Sequence, residues 1–207
     1  MTTPRFALLV PIKDGRGAKT RLGGLDAVDR AELMAAFARD AIEAAGRTPL
    51  VAVHVVGDPV ALGPMAAELG VPVLPDEGDG DLNRALRHAA ARVVSPERGV
   101  AVMLADLPCL RTTDLETALS RSGRAYVADA AGTGTTLLVA PPGTDLDPRF
   151  GSASAQAHEA SGATPIAGDL RSLRLDVDTA DDLAAALRVG VGPHTANAVA
   201  ALELDRS

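Results

Sequence analysis

Four basic side chains crowd one short stretch, Pro11-Ile12-Lys13-Asp14-Gly15-Arg16-Gly17-Ala18-Lys19-Thr20-Arg21-Leu22, directly after an apolar run. Its glycines let backbone N–H groups approach an anion while Lys13, Lys19 and Arg21 neutralise it, so the loop suits a polyphosphate. The plainer alternative is a solvated basic turn. Lys13 and Lys19 are the only lysines among 20 basic residues. In a chain that otherwise uses Arg, this points to a need for a compact charge on a flexible stem. The spacing is not that of a P-loop, nor of a dinucleotide fingerprint, because position 20 is Thr rather than Gly. Two acidic points lie elsewhere. Asp106 ends the apolar run before Leu107-Pro108, where its carboxylate would either hold a hard cation at the carboxyl end of a strand or cap a turn. In Asp176-Val177-Asp178-Thr179, strand alternation puts both carboxylates on one face. Asp178 could instead N-cap a following helix, with Asp181 and Asp182 at its positive end. A basic anion loop facing two carboxylate sites is what magnesium-assisted nucleotidyl transfer needs, since the metal bridges phosphate oxygens and carboxylates hold the metal.

The elements that must position these groups alternate between short buried runs and amphipathic ones. Residues 6–10, 50–56, 71–74 and 100–104 read as strands, and 126–128, 135–139 and 173–177 as later ones. Helices are expected over 26–45 with Asp26 as N-cap, through Met65 and Leu69 to Gly70, and over Leu82, Leu86 and Val93. Further helices should follow Thr112 or Thr113, span about 152–161, and cover 181–189 and 193–204. This rhythm implies an α/β fold in three layers. A mostly parallel sheet would carry helices on both faces, in a single domain over residues 1–207. Ligands would then gather outside the carboxyl ends of the strands: at the basic loop, at Asp106, and at the acidic loop from Asp76 to Asn83.

Composition narrows the classes. The chain of 207 residues is 47% hydrophobic, enough to bury a full core. A net charge of −7 argues against a sequence-independent nucleic-acid binder, and 2% aromatics with no Trp against a base-stacking platform. No apolar run reaches the roughly 18–20 residues of a membrane span. The N-terminus lacks a charged leader with an apolar stretch and cleavage site, so a cytoplasmic location without membrane contact is expected. A lone cysteine, Cys109, leaves no internal disulfide and reads as packing rather than as a nucleophile.

Several motifs extend the pattern: Pro11-x-Lys13, Ala18-Lys19-Thr20-Arg21-Leu22, Asn83-x-Ala85-Leu86, Asp106-Leu107-Pro108, Asp129 with Gly132-Thr133-Gly134-Thr135-Thr136, Pro148-Arg149-Phe150-Gly151 with Ser154, and Asp176-Val177-Asp178-Thr179. Together they resemble the guanylyltransferases of coenzyme F-420 biosynthesis, from about Phe6 to Val199, and the resemblance implies a three-layer Rossmann-like nucleotidyltransferase fold. Those enzymes join a guanylyl group from GTP to 2-phospho-L-lactate or phosphoenolpyruvate. The resemblance implies that Pro11, Lys13, Lys19, Arg21, Asn83 and Asp106 bind the nucleotide, with Asn83 reading the guanine edge. It implies catalytic roles for Lys13, Lys19, Arg21 and Asp106. Asp106 and Asp176, with Asp178 as the alternative, would hold Mg2+. Thr136, Gly151 and Ser154 would receive the acceptor's carboxylate, and Arg149 and His158 could add charge there. Where the family has Gly-Leu-Asn, this chain has Asp81-Leu82-Asn83.

Two other readings stay open. One is a molybdopterin-type nucleotidyltransferase, against which the first loop lacks a Gly-Gly-x-x-x-Arg-Met-Gly-Gly character. The other is a non-catalytic GTP-binding regulator. The two acceptors differ by two hydrogens, a change that a pocket discriminates by a few kcal/mol at most. The Ala- and Arg-rich composition of a GC-rich bacterial genome favours phosphoenolpyruvate. The last helix, with Val199 and Leu202 on a partly apolar face, could dock on its own domain or on a second copy.

Overall fold

The computed structural model describes residues 5–12, 22 and 25–204. Lys13, Lys19 and Arg21 lie outside the described residues. Seven strands form one sheet: β1 (Phe6–Pro11), β2 (Val51–Gly57), β3 (Val73–Pro75), β4 (Gly99–Met103), β5 (Ala125–Ala128), β6 (Thr135–Ala140) and β7 (Thr164–Pro165). Their order is β3-β2-β1-β4-β6-β5-β7. β6 is antiparallel to both neighbours, and the other pairings are parallel. The sheet is therefore mostly parallel, as its continuous apolar strands require when both faces are covered.

The helices are α1 (Ala27–Gly46), α2 (Pro59–Leu69), α3 (Leu82–Val93), α4 (Thr112–Leu119), α5 (Ser154–Ala160), α6 (Arg171–Arg174), α7 (Ala180–Val189) and α8 (Pro193–Leu204). Ala41 and Ile42 of α1, Met65 of α2, Leu115 and Leu119 of α4 and Leu173 of α6 pack on one face with Leu8 and Val10. Leu86 and Ala89 of α3 and Ala155 of α5 pack on the other with Leu9 and Val102. A third cluster joins Leu33 and Phe37 of α1 to Ala186 of α7 and partly buried Val199 and Leu202 of α8, so α8 docks on α1 of its own chain. Asp40 fixes that docking: its buried carboxylate accepts the His194 and Thr195 N–H groups at 3.0 and 2.8 Å, capping α8 from within α1.

The caps explain most boundaries. The Asp26 side chain accepts from Val28 and Asp29 N–H, and Gly70 closes α2 with φ +65°, which glycine adopts without strain. Arg111, not Thr112 or Thr113, is the N-cap of α4, and the Thr112 hydroxyl donates to Ala44 C=O.

One expected strand is absent. Residues 173–177 do not join the sheet; they contain the end of α6 and then a tight turn in which Asp176 N–H donates to the Arg174 carbonyl. Side-chain bonds hold this turn in place. Asp114 accepts from the Ser172 N–H and hydroxyl, and the Arg174 guanidinium donates to the Ala128 and Ile166 carbonyls. Among the described residues, no helix is long and apolar enough to cross a membrane.

Candidate functional site

The carboxyl edge of the sheet gathers the candidate groups. β4 ends before Asp106 and β5 before Asp129, while antiparallel β6 begins at the same edge with Thr135. The 175–178 segment is drawn to this edge by Val177 N–H, which donates to the Asp106 carbonyl at 3.1 Å. Val177 is fully buried, while Asp176 and Asp178 on either side of it bring their carboxylates to Asp106. One carboxylate oxygen from each of Asp106, Asp176 and Asp178 lies within 4.8 Å of the others. Helix capping falls to Thr179, which shares a capping box with Asp182, and so leaves the Asp178 carboxylate to the cluster.

Crowding marks the electrostatics. Burial, then the neighbouring carboxylates of Asp106, Asp178 and Asp129, push the Asp176 pKa from 3.8 up to about 7. A cation among the three would relieve that repulsion, and an all-oxygen donor set suits a hard divalent ion.

Beside the cluster lies a cleft of about 450 Å³ lined by Asp129, Thr133, Gly134, Thr135, Gly151, Ser154, Asp176 and Asp178, among others. Gly151 and Ser154 thus share this cleft with Asp176 and Asp178. Thr136 is not among the cleft residues. It is fully buried and donates its hydroxyl to the Leu173 carbonyl at 2.6 Å. A bulge explains the exchange: pairing runs Val127 to Leu137 and then Ala128 to Thr135, skipping Thr136. One extra residue reverses which side chains face which side, so Thr135 and not Thr136 lines the cleft.

The sequence motif alone gives Asp129 no role. Its two oxygens accept the Thr133 and Gly134 N–H groups at 2.9 and 2.7 Å, so it both shapes the Gly132–Gly134 turn and adds charge near Asp176. A Cβ on Gly134 would overlap that carboxylate, which is why the position needs glycine. The sequence signal available was an Asp followed by two glycines in the span of a tight turn.

His158 and Arg149 do not deliver the charge expected of them. His158 is buried, and desolvation lowers its pKa to about 4, so the ring is neutral. Its Nε2 accepts from the Arg149 N–H, which leaves Nδ1–H to face the Thr135 hydroxyl at 2.9 Å. Arg149 extends outward and pairs with Asp147 at 3.1 Å.

Pro11 ends β1 at the same edge and lines a separate, largely apolar cleft with Leu104, Ala105 and Asp106. Asp81 is the N-cap of α3, accepting from Asn83 and Arg84 N–H. Those bonds, the Arg84 one foremost, hold its carboxyl below the usual range. That accounts for Asp in place of the expected Gly at position 81. Asn83 directs its amide at the Phe150 backbone. Cys109 is buried against the Ala186 carbonyl, and burial raises its thiol pKa to about 11, the reverse of a nucleophile's requirement.

The family described as guanylyl transferase CofC like matches residues 6–207. A phosphoenolpyruvate guanylyltransferase of Salinispora arenicola is 47% identical over 201 residues, covering 94% of this chain and 93% of that protein. One of Streptomyces coelicolor is 46% identical over 208 residues, covering 96% and 97%. Among solved structures, a cytidylyltransferase of Leptospira borgpetersenii superposes with TM-score 0.59 at 13% identity, covering 98% of this chain and 95% of that one. A 4-diphosphocytidyl-2C-methyl-D-erythritol synthase does so with TM-score 0.56 at 15% identity, covering 90% and 99%. At such identities the likeness is one of fold, the three-layer α/β arrangement of nucleotidyltransferases.

Proposed function

Because the chain belongs to the family of CofC-like guanylyl transferases, we propose that it joins GMP from GTP to phosphoenolpyruvate, releasing pyrophosphate, in coenzyme F-420 biosynthesis. The names of the relatives support the acceptor and the reaction class. The observation that carries the reading is the meeting of Asp106 with Asp176 and Asp178, two acids that line the cleft holding Gly151 and Ser154.

The three carboxylates fit Mg2+, with Asp106 and Asp176 as ligands and Asp178 within reach of the same position. When bound there, the ion would neutralise phosphate oxygens as charge shifts to the leaving group. Lys13, Lys19 and Arg21 would hold the triphosphate. Pro11, at the end of β1, would border the nucleotide, and the Ser154 hydroxyl and Gly151 backbone would hold the acceptor's carboxylate. A phosphate oxygen of the acceptor then bonds to the α-phosphorus of GTP, while the bond from that phosphorus to the bridging oxygen breaks and pyrophosphate departs in line. The attacking phosphate is already anionic near neutral pH, so no side chain need remove a proton. Alignment and charge neutralisation supply the rate. A covalent intermediate on Cys109 is unnecessary, and its burial agrees with that.

The test is transfer of label from α-labelled GTP to each acceptor, by the native protein and by Asp106→Asn. Transfer to phosphoenolpyruvate that falls by about 10²-fold or more in the variant is expected, as for loss of a group that stabilises transition-state charge. Near-normal transfer by a folded Asp106→Asn would overturn the mechanism.

A further inference from the structure

Asn83 stands in the first turn of α3, and both ends of its amide are bonded to one residue 67 positions away. Its Oδ1 accepts the Phe150 N–H at 2.7 Å, and its Nδ2 donates to the Phe150 carbonyl at 2.8 Å. The side chain thus pairs with the loop backbone as a neighbouring strand would. From the other side of the loop, His158 of α5 accepts the Arg149 N–H at 2.9 Å. Two successive backbone N–H groups are therefore fixed from two different helices. The next residues, Gly151 with φ +142° and Ala153 with φ +55°, form a wall of the acidic cleft.

The anchor itself is held. Asp81 caps α3, and Arg84 Nε donates to the Gly78 carbonyl at 2.8 Å. Gly78 lies so close to Ala85 that a Cβ there would overlap it.

An asparagine reads a base bidentately through the edge carrying Oδ1 and the adjacent Nδ2–H. That edge is occupied here by Phe150. We infer that Asn83 is a positioning residue for the acceptor loop rather than a reader of the guanine edge. The inference deepens the proposed guanylyl transfer to phosphoenolpyruvate and rests on that reading for its kinetic consequences. Its structural content stands apart from them: Asn83 ties the 148–154 wall to α3, so its removal loosens the acceptor side and leaves the base side intact.

The experiment uses the full chain with Asn83→Ala and Asn83→Leu. The leucine keeps the size but can neither accept from the Phe150 N–H nor donate to its carbonyl. Hydrogen exchange in substrate-free protein is read first. The Phe150 N–H should exchange about 10-fold faster or more in both variants while the sheet amides stay protected. Steady-state kinetics with guanosine, inosine and adenosine triphosphates follow. The KM for phosphoenolpyruvate should rise about 10-fold, with the KM for GTP within about 2-fold and the preference among the three nucleotides unchanged.

Unchanged exchange at Phe150 would overturn the positioning role. So would a raised KM for GTP with lost base preference and an unaltered KM for phosphoenolpyruvate. If Asn83→Ala fails to fold, Asn83→Leu decides by the same two readouts. Absence of turnover by the native protein would count against the proposed reaction, and the exchange measurement would still decide for or against the tie.

Discussion

Replacing Asp176 by Asn should stabilise the metal-free protein at pH 8 and change its stability little at pH 4. In the folded chain, burial and the carboxylates of Asp106, Asp178 and Asp129 raise the Asp176 pKa from 3.8 to about 7. Between those values the folded state keeps a proton that the unfolded chain has released. Stability therefore falls as pH rises through this window, and the whole cost is present above pH 7. The separation corresponds to roughly 4 kcal/mol at about 1.36 kcal/mol per pKa unit. Asp176 is only partly buried, and solvent screening reduces this to about 1–2 kcal/mol. For a chain of this size that is a melting-temperature gain of roughly 2–8 °C.

The assay is thermal unfolding followed by circular dichroism, with chelator, at pH 4 and pH 8, then with magnesium. The Asp176→Asn protein should melt higher than the native one at pH 8 without metal. Added magnesium should raise the native protein's melting temperature more at pH 8 than at pH 5, because protons compete for the carboxylates. It should raise that of the variant less. A variant that melts no higher than the native protein at pH 8 without metal, or magnesium stabilisation independent of pH, would refute the idea that crowded carboxylates await a cation.

Other outcomes follow from the packing. Asp40→Ala leaves the His194 and Thr195 N–H groups without their acceptor and should cost about 2–3 kcal/mol, read as a lower urea midpoint with α8 amides exchanging first. Gly134→Ala forces the Asp129 carboxylate aside and should cost about 1–2 kcal/mol in urea unfolding, with a larger proportional loss of transferase activity than of stability. Ala153→Gly removes a left-handed alanine and should raise stability by roughly 0.5–1 kcal/mol in the same assay; a loss would show that the conformation carries no strain. Cys109 should resist iodoacetamide in the folded protein at pH 8 and react once urea unfolds it, as mass spectrometry would report.

Much of this site was legible because its signals are local. Val10-Pro11 and Leu104-Ala105-Asp106 mark strand ends, and a parallel sheet places such ends on one ligand edge. The pairing of Asp176 with Asp178 needed only that Val177 between them turn inward, as it does outside the sheet. What escaped depends on distant contacts. Nothing near Ser172 announces that Asp114 and Arg174 will hold a helical turn where apolar alternation suggests a strand. The bulge that exchanges Thr135 for Thr136 arises from pairing with β5. The motif ends in two adjacent threonines, Thr135 and Thr136, yet only the register tells which of that pair meets the cleft. Asn83 and His158 carry side chains whose type suggests ligand contact, but their partners are backbone groups of a loop far along the chain.

The most direct test of the proposed activity is pyrophosphate release from GTP and magnesium, with phosphoenolpyruvate and 2-phospho-L-lactate supplied separately and with neither. Release that requires phosphoenolpyruvate is the expected result. Release with 2-phospho-L-lactate alone would keep the reaction class and replace the acceptor. Silence with both, from protein that still binds GTP, would contradict guanylyl transfer to either acid.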